Sequence, residues 1–329
     1  MKAFFSRIAF SFLVIVLFVN AKYARTTISP GLESYEEVRR TTDDCKIIKH
    51  DIKRGVSKCF VNGRLISLDP AGKKIAILTS SKLPKDTSKD DSHVYIYVLS
   101  VLDTASKSLI KSFPNVSSAT FSADSTCMAY FADYPGRLEG EAPPGYEEGV
   151  WLYNFETKLN KKIAKAAIDI NWAEFDGNIY ILYGHEVTCY NTKTDRVEST
   201  SYKGIYFSPN GEYYASKIDP EGPYWTIYRT SDNQEMTEWM NTIKRKGGDI
   251  GVYDFQFWSK KLKAVVFRIS NSENMIFDID QGKTIGYFEG IFIGTNYDGS
   301  MVAVHPIIKE KPGVDFSKAK IIDLTKFKK

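Results

Sequence analysis

Catalytic signatures are what this chain of 329 residues lacks most plainly. It holds no Gly-x-Ser-x-Gly elbow, no His-Glu-x-x-His, no Cys-x-x-Cys and no phosphate-cradling glycine loop, so none of the chemistries those motifs carry has a basis in it. Histidine is scarce: His50, His93, His185 and His305 are all there is. An excess of one charge is absent too, with 44 Lys and Arg against 40 Asp and Glu, a net +4. That balance is too even to imply nucleic acid or a membrane surface as partner. A long apolar run is also missing. Ile8 to Val19 gives about 12 apolar residues, where a bilayer span needs roughly 20.

The short run has the anatomy of a signal peptide instead. Lys2 and Arg7 precede it, and Val19-Asn20-Ala21 supplies the small residues that a signal peptidase prefers. Residues 1–21 are therefore expected to be removed, which leaves 42 basic against 40 acidic residues, a net +2. The expected address is extracytoplasmic, periplasmic or secreted, with an uncleaved N-terminal anchor as the alternative. No Cys follows the run, which argues against a lipoprotein anchor.

Export gives the four cysteines a meaning, because thiols in an oxidising compartment tend to pair. Cys45 and Cys59 flank one expected hairpin and form a possible disulfide. Cys127 and Cys189 lie inside strand patterns, where buried free thiols compete with a bridge between them.

What the chain does have is a repeated phrase. It reads Leu68-Asp69-Pro70-Ala71-Gly72, Phe121-Ser122-Ala123-Asp124, Phe207-Ser208-Pro209-Asn210-Gly211 and Asn296-Tyr297-Asp298-Gly299, followed by Ala76, Ala129, Ala215 and Ala303. Asp-Gly and Asn-Gly are hairpin signals because these residues tolerate positive φ. Two worn copies occupy 173–177 and 255–259. An alternating strand, a polar turn and another strand complete each unit, and that second half occurs seven times, centred on Ile47, Tyr97, Leu152, Cys189, Ile227, Ile276 and Ile321. Repeats of roughly 40 to 50 residues built from short strands read as an all-β propeller of four-stranded antiparallel blades. The 20 Tyr and 20 Phe suit such strands.

One domain, residues 22–329, follows. Residues 61–329 hold six units, while 22–60 hold either a degenerate seventh blade or strands that close the ring. Seven blades are favoured and six is the alternative. Because terminal strands must meet or leave an edge unpaired, Cys45 to Phe60 is expected to supply the outermost strand of the last blade.

The phrase, its following Ala and the strand-turn-strand half resemble the WD-like repeats of TolB-type β-propellers and of the propeller domains of prolyl oligopeptidase relatives. The resemblance implies a fold and says little of activity, since this architecture hosts many functions. The Gly-His and Trp-Asp pairs of eukaryotic WD repeats do not recur here.

The turn phrase joins the first two strands of a blade, so the second-to-third-strand loops emerge on the opposite face. Long loops gathered on one face are the usual place for binding. The segment from Tyr134 to Glu148 stands out, with Tyr134, Arg137, Glu139, Glu141 and Tyr146 as candidate contacts, and Trp225 as an added aromatic surface or a blade-seam residue. Asp278 to Gly282 echoes part of a calcium loop but lacks the terminal Glu and matches a hairpin turn. The expectation is a monomeric, exported binding or scaffold module for a protein or peptide, without cofactor or metal. A propeller lyase or hydrolase with a site in the axial funnel is the alternative.

Overall fold

The computed structural model describes residues 27–28, 33–39, 45–51, 56–82, 95–133, 147–217, 225–236, 254–270, 273–296, 298–305 and 320–327. Their strands form seven antiparallel sheets, each built from consecutive strands of the chain. Sheet I comprises β1 (Thr27–Ile28), β2 (Glu33–Arg39), β3 (Cys45–Asp51) and β4 (Val56–Asn62). Sheet II holds β5 (Arg64–Leu68), β6 (Lys74–Lys82), β7 (Tyr95–Asp103) and β8 (Leu109–Pro114). Sheet III holds β9 (Val116–Phe121), β10 (Cys127–Ala132), β11 (Gly149–Asn154) and β12 (Asn160–Ala164). Sheet IV is β13 (Asp169–Trp172), β14 (Ile179–Tyr183), β15 (Glu186–Asn191) and β16 (Arg196–Ser199). Sheet V has three strands, β17 (Tyr206–Phe207), β18 (Tyr213–Lys217) and β19 (Trp225–Arg229). Sheet VI is β20 (Asp254–Ser259), β21 (Ala264–Arg268), β22 (Glu273–Asp278) and β23 (Lys283–Glu289). Sheet VII again has three, β24 (Ile291–Thr295), β25 (Met301–His305) and β26 (Lys320–Asp323), followed by a short 3-10 helix, Leu324–Phe327.

The first strand of each sheet is the innermost, since β5 lies against β9, β9 against β13 and β1 against β24. That last contact joins the two ends of a ring, and the molecule is a β-propeller. The six repeated units give sheets II to VII. Sheet I comes from the N-terminal segment. Cys45 to Phe60 therefore does not extend sheet VII, as the sequence had suggested: its strands pair with β2 and with each other. A two-residue inner strand and a seven-residue β2 were too irregular to read as a blade.

The core is a series of seams between neighbouring sheets. Ile47, Phe60, Leu65 and Ile75 fill the first, Leu99, Phe113, Phe121 and Met128 the second, and Phe131, Val150, Ile170 and Ile181 the third. Tyr180, Ile205, Phe207 and Tyr214 fill the next, then Ile227, Phe267 and Met275, then Val266, Val302 and Leu324. Alternate side chains of a strand point to opposite faces, so a blade sandwiched on both sides must be apolar in both registers. Ala76, Ala129, Ala215 and Ala303 are fully buried at equivalent places of the second strands.

The turn phrase has a physical reason. Its Ser, Asp or Asn accepts a hydrogen bond from the amide five residues on, the first of the next strand: Asp69 Oδ1 from Lys74 at 2.7 Å, Ser122 Oγ from Cys127 at 2.9 Å, Ser208 Oγ from Tyr213 at 3.0 Å and Asn296 Oδ1 from Met301 at 2.9 Å. The residue three after the cap takes a positive φ, as at Gly72 (70°), Ser125 (63°), Gly211 (73°) and Gly299 (66°). This is why glycine recurs there.

Candidate functional site

The two faces of the ring differ in kind. One carries the capped turns, which bond to one another around the axis. Lys74 Nζ donates to the Ser125 carbonyl at 2.9 Å, the Lys261 amide donates to the Asp298 carbonyl at 2.9 Å, and Lys260 pairs with Glu174 across the turn of sheet V. The third-to-fourth-strand turns on this face are a second repeat. Asp103 Oδ1 accepts the amides of Ala105 and Ser106, Asn154 Oδ1 those of Glu156 and Thr157, and Asn191 Oδ1 those of Lys193 and Thr194. Each turn ends on a residue of positive φ, namely Lys107 (61°), Lys158 (63°) and Asp195 (63°). The sequence echo of a calcium loop, Asp278 to Gly282, is another such turn, with Asp278 Oδ1 accepting the Gln281 amide at 2.9 Å. A shallow groove of about 510 Å³ opens on this face beside Asn210, Glu212, Tyr213 and Arg229. Arg229 is held there by Asp232 and Gln234, both at 3.0 Å.

The other face carries the second-to-third-strand connections and the passages between sheets. On sheet IV that connection is reduced to Gly184-His185, with Gly184 at a φ of 61°. Beside it two apolar side chains stand in solvent, Ile168 63% and Tyr183 58% exposed. The Ile168 amide donates to the carbonyl of Leu182, the residue that Asp169 already faces in the ladder, at 2.7 Å, so Ile168 stands at the end of the pair, next to Leu182 and close to Tyr183. By strand alternation Tyr183 shares the side of Ile181, and Ile168 follows Ala167; Ile181 and Ala167 pack in the seam with sheet III. Both exposed side chains therefore lie beside the seam between sheets III and IV on the loop-bearing face.

The strand ends of sheet III on that face are firmly held. The Asp133 amide donates to the Asn115 carbonyl at 2.8 Å, and Glu147 pairs with Lys162 at 2.5 Å. Lys162 Nζ lies 5.8 Å from the centre of the Trp151 ring. Gly149, with a φ of 151°, sits so close to β12 that a Cβ would come within 2.6 Å of the Ala164 carbonyl. Of the residues expected to make contacts, Tyr134, Arg137, Glu139, Glu141 and Tyr146 lie outside the described residues. Trp225 is half-buried in the seam between sheets V and VI, its ring centre 5.3 Å from Tyr206 and 5.2 Å from Phe255. Tyr206 bonds through its hydroxyl to Asp169 on sheet IV, and Trp258 Nε1 donates to the Tyr206 carbonyl at 2.9 Å.

Cys59 is an exposed free thiol. Its ladder partner is Ile48, three residues along β3 from Cys45, a step of about 10 Å that exceeds the reach of a disulfide. Cys127 and Cys189 are free as well, the first accepting a hydrogen bond from Asn154 at 3.4 Å. Burial pushes the Cys189 thiol up to about 11. Tyr130 is likewise pushed up to about 12, again mainly by burial. His185 is exposed, and the side chains of His50, His93 and His305 lie outside what the structure describes. Among the described residues no three of His, Cys, Asp and Glu converge as metal ligands, and no helix is long and apolar enough to cross a membrane.

Sequence alone had no means of marking Ile168 and Tyr183, which read as ordinary strand apolars. The signal available was the brevity of Gly184-His185, which leaves them nothing to lie under.

The chain matches no protein-family model and no curated protein in sequence. Its fold does match solved structures. U3-55K superposes with a TM-score of 0.58 at 12% identity, over 92% of this chain and 95% of that one. The WD40 repeats of RRP9 give 0.53 at 10% identity, over 86% of each chain. TolB from Acinetobacter baumannii gives 0.46 at 16% identity, over 78% of this chain, which spans only 63% of the TolB chain. At these identities the likeness establishes the propeller fold alone.

Proposed function

We propose that this β-propeller is an exported binding module that takes up a protein or peptide on its loop-bearing face. The observation that carries the reading is the exposed pair Ile168 and Tyr183 on the seam between sheets III and IV. Exposed apolar side chains close to one another at the end of a seam are the kind of surface a partner covers; Leu109, Leu159 and Val197 are exposed as well, but each stands on a third-to-fourth-strand turn or an outer strand. Tyrosine is also among the residues that dominate interface energetics.

The segment from Tyr134 to Glu148 joins the reading because it connects the second and third strands of sheet III, β10 and β11, on that face. Tyr134, Arg137, Glu139, Glu141 and Tyr146 are its proposed contacts. Trp225 belongs to the same proposal as a support, since it packs against Tyr206 and Phe255 two seams further round the ring. Export rests on Lys2, Arg7, the apolar run and Val19-Asn20-Ala21.

The test replaces Tyr134 to Glu148 with an Asn-Gly turn. Changes in loop length cost little stability, so folding should survive. Capture of the native partner, read as an affinity, should weaken at least tenfold. Equal affinity in the shortened protein would move the site elsewhere on the ring.

A further inference from the structure

Ile168 and Tyr183 are joined in solvent by three further apolar side chains. Leu109 is 59%, Leu159 70% and Val197 47% exposed. They hold one place in three successive sheets, on or directly before the outer strand, one or two residues after the positive-φ residue of the third-to-fourth-strand turn, Lys107, Lys158 or Asp195. Sheets V and VI carry Gln234-Glu235 and Lys283-Thr284 there, after Asn233 and Gly282. The apolar side chains are thus confined to neighbouring sheets.

Charge divides the rim in the same way. Over the whole chain basic and acidic groups nearly balance. In these turns and outer-strand starts of sheets II to IV six exposed cations, Lys107, Lys111, Lys158, Lys161, Lys193 and Arg196, outnumber the acidic Asp103, Glu156, Asp195 and Glu198. Asp103 is taken up by the amides of Ala105 and Ser106, and Asp195 by Lys161 and the Tyr190 hydroxyl. Sheets V and VI reverse the sign, with Arg229 against Asp232 and Glu235, and Lys283 against Asp278 and Asp280. Neighbouring basic segments touch. Lys111 Nζ of sheet II lies 5.8 Å from the centre of the Tyr153 ring of sheet III, and Lys161 of sheet III pairs with Asp195 of sheet IV. A basic and apolar arc therefore runs unbroken over three sheets on the turn-bearing face.

The spacing of its apolar members sets it apart from the other face. Ile168 and Tyr183 stand close together, whereas Leu109, Leu159 and Val197 belong to different sheets, and outer strands form the convex rim of a ring. Separated apolar side chains with lysines between them make no contiguous patch for a folded partner to cover. They suit a bilayer interface, which takes each apolar tip to a shallow depth and sets lipid phosphates against the cations. The turns that present them are fixed by their Asp and Asn caps and by the left-handed backbone of Lys107 and Lys158.

We propose that the turn-bearing rim of sheets II to IV is a docking surface for a bilayer of anionic phospholipid. Leu109, Leu159 and Val197 enter the interface, and the cations of the same turns lie on the headgroup phosphates. Docked in this way the ring keeps Ile168 and Tyr183 on the face away from the membrane, so the two surfaces work independently.

Co-sedimentation with lipid vesicles tests this, using residues 22–329, which hold every described residue. Vesicles of phosphatidylglycerol and phosphatidylcholine in equal parts should bind the protein, more weakly as salt is raised, and vesicles of phosphatidylcholine alone at least tenfold more weakly. The triple variant Leu109→Ser, Leu159→Ser and Val197→Thr should melt like the parent, since these side chains are exposed, and bind the anionic vesicles at least tenfold more weakly. Lys158→Asn with Lys193→Gln and Arg196→Gln should lose both affinity and salt dependence, asparagine being suited to the positive φ at 158. Ile168→Ser with Tyr183→Ser should bind vesicles as the parent does. The proposal is overturned if the apolar triple variant keeps the parent's affinity, if the loss falls on the Ile168 and Tyr183 variant instead, or if the parent ignores anionic vesicles, an outcome that would point to an acidic protein on this rim.

Discussion

Ser208 Oγ accepts the Tyr213 amide at 3.0 Å while its own hydroxyl donates to Asn210 Oδ1 at 2.7 Å. A hydroxyl that satisfies the first amide of one strand and is itself fixed by the turn makes a turn of one shape, and the equivalent bond recurs from Asp69, Ser122 and Asn296. Ser208 is buried, so its removal leaves the Tyr213 amide without its partner. Ser208→Ala should cost about 1 to 3 kcal/mol in chemical denaturation, with Ser208→Asn, the residue used at position 296, losing less.

Ala215 has no exposed surface and pairs with Tyr206 and Ile227. Ala215→Leu should cost on the order of 1 to 3 kcal/mol through overpacking. Thermal unfolding reads it, and an unchanged melting point would show that the seam has room the packing does not suggest.

Gly211 combines a φ of 73° with a ring in the way, since a Cβ there would come within 2.4 Å of Phe175. Gly211→Ala should therefore destabilise by about 1 to 3 kcal/mol. The double variant Gly211→Ala with Phe175→Leu should recover part of that loss, because only the steric share depends on the ring.

The Cys189 thiol is buried and pushed up to about 11 by that burial, whereas Cys59 is exposed. With a thiol reagent at neutral pH, Cys59→Ser should lower the number of fast-reacting thiols by one. Cys189→Ala should leave that number unchanged and lower only the number that reacts after unfolding.

Asp124 is held below its ordinary 3.8, first by the Ser122 hydroxyl and then by the amide and hydroxyl of Thr126, against the opposing effect of burial. A depressed carboxylate contributes stability that is full above its unfolded value and fades as the pH falls through the folded one. Melting temperature should hold from neutral pH down to about 4, then drop toward pH 2. Asp124→Asn should flatten that acid limb.

The turn phrase was legible because its cap, its positive φ and its buried Ala are all carried by residue types that suit those jobs. The second turn was not. Its positive-φ positions are filled by Lys107, Lys158 and Asp195, and lysine gives no hint of a left-handed backbone. All seven third strands lay where their alternation put them. Sheet I stands in the sequence as one of two readings of residues 22–60, because its polar β2, Glu33 to Arg39, resembles a loop in composition. Exposure of Ile168 and Tyr183 depends on what a neighbouring loop fails to cover, which no local pattern records. Trp225 was legible as an aromatic, and only the packing against Tyr206 and Phe255 located it in a seam.

The central claim is that the loop-bearing face, at the seam of sheets III and IV, is where a partner binds. The direct measurement is the affinity of the partner recovered from the native host for three proteins: the parent, Ile168→Ser with Tyr183→Ser, and Glu212→Ala with Arg229→Ala on the opposite face. All three should melt alike, since the exchanged side chains lie at the surface. A loss of tenfold or more confined to the Ile168 and Tyr183 variant is the result expected; equal affinity in all three, or a loss confined to the Glu212 and Arg229 variant, would contradict the account.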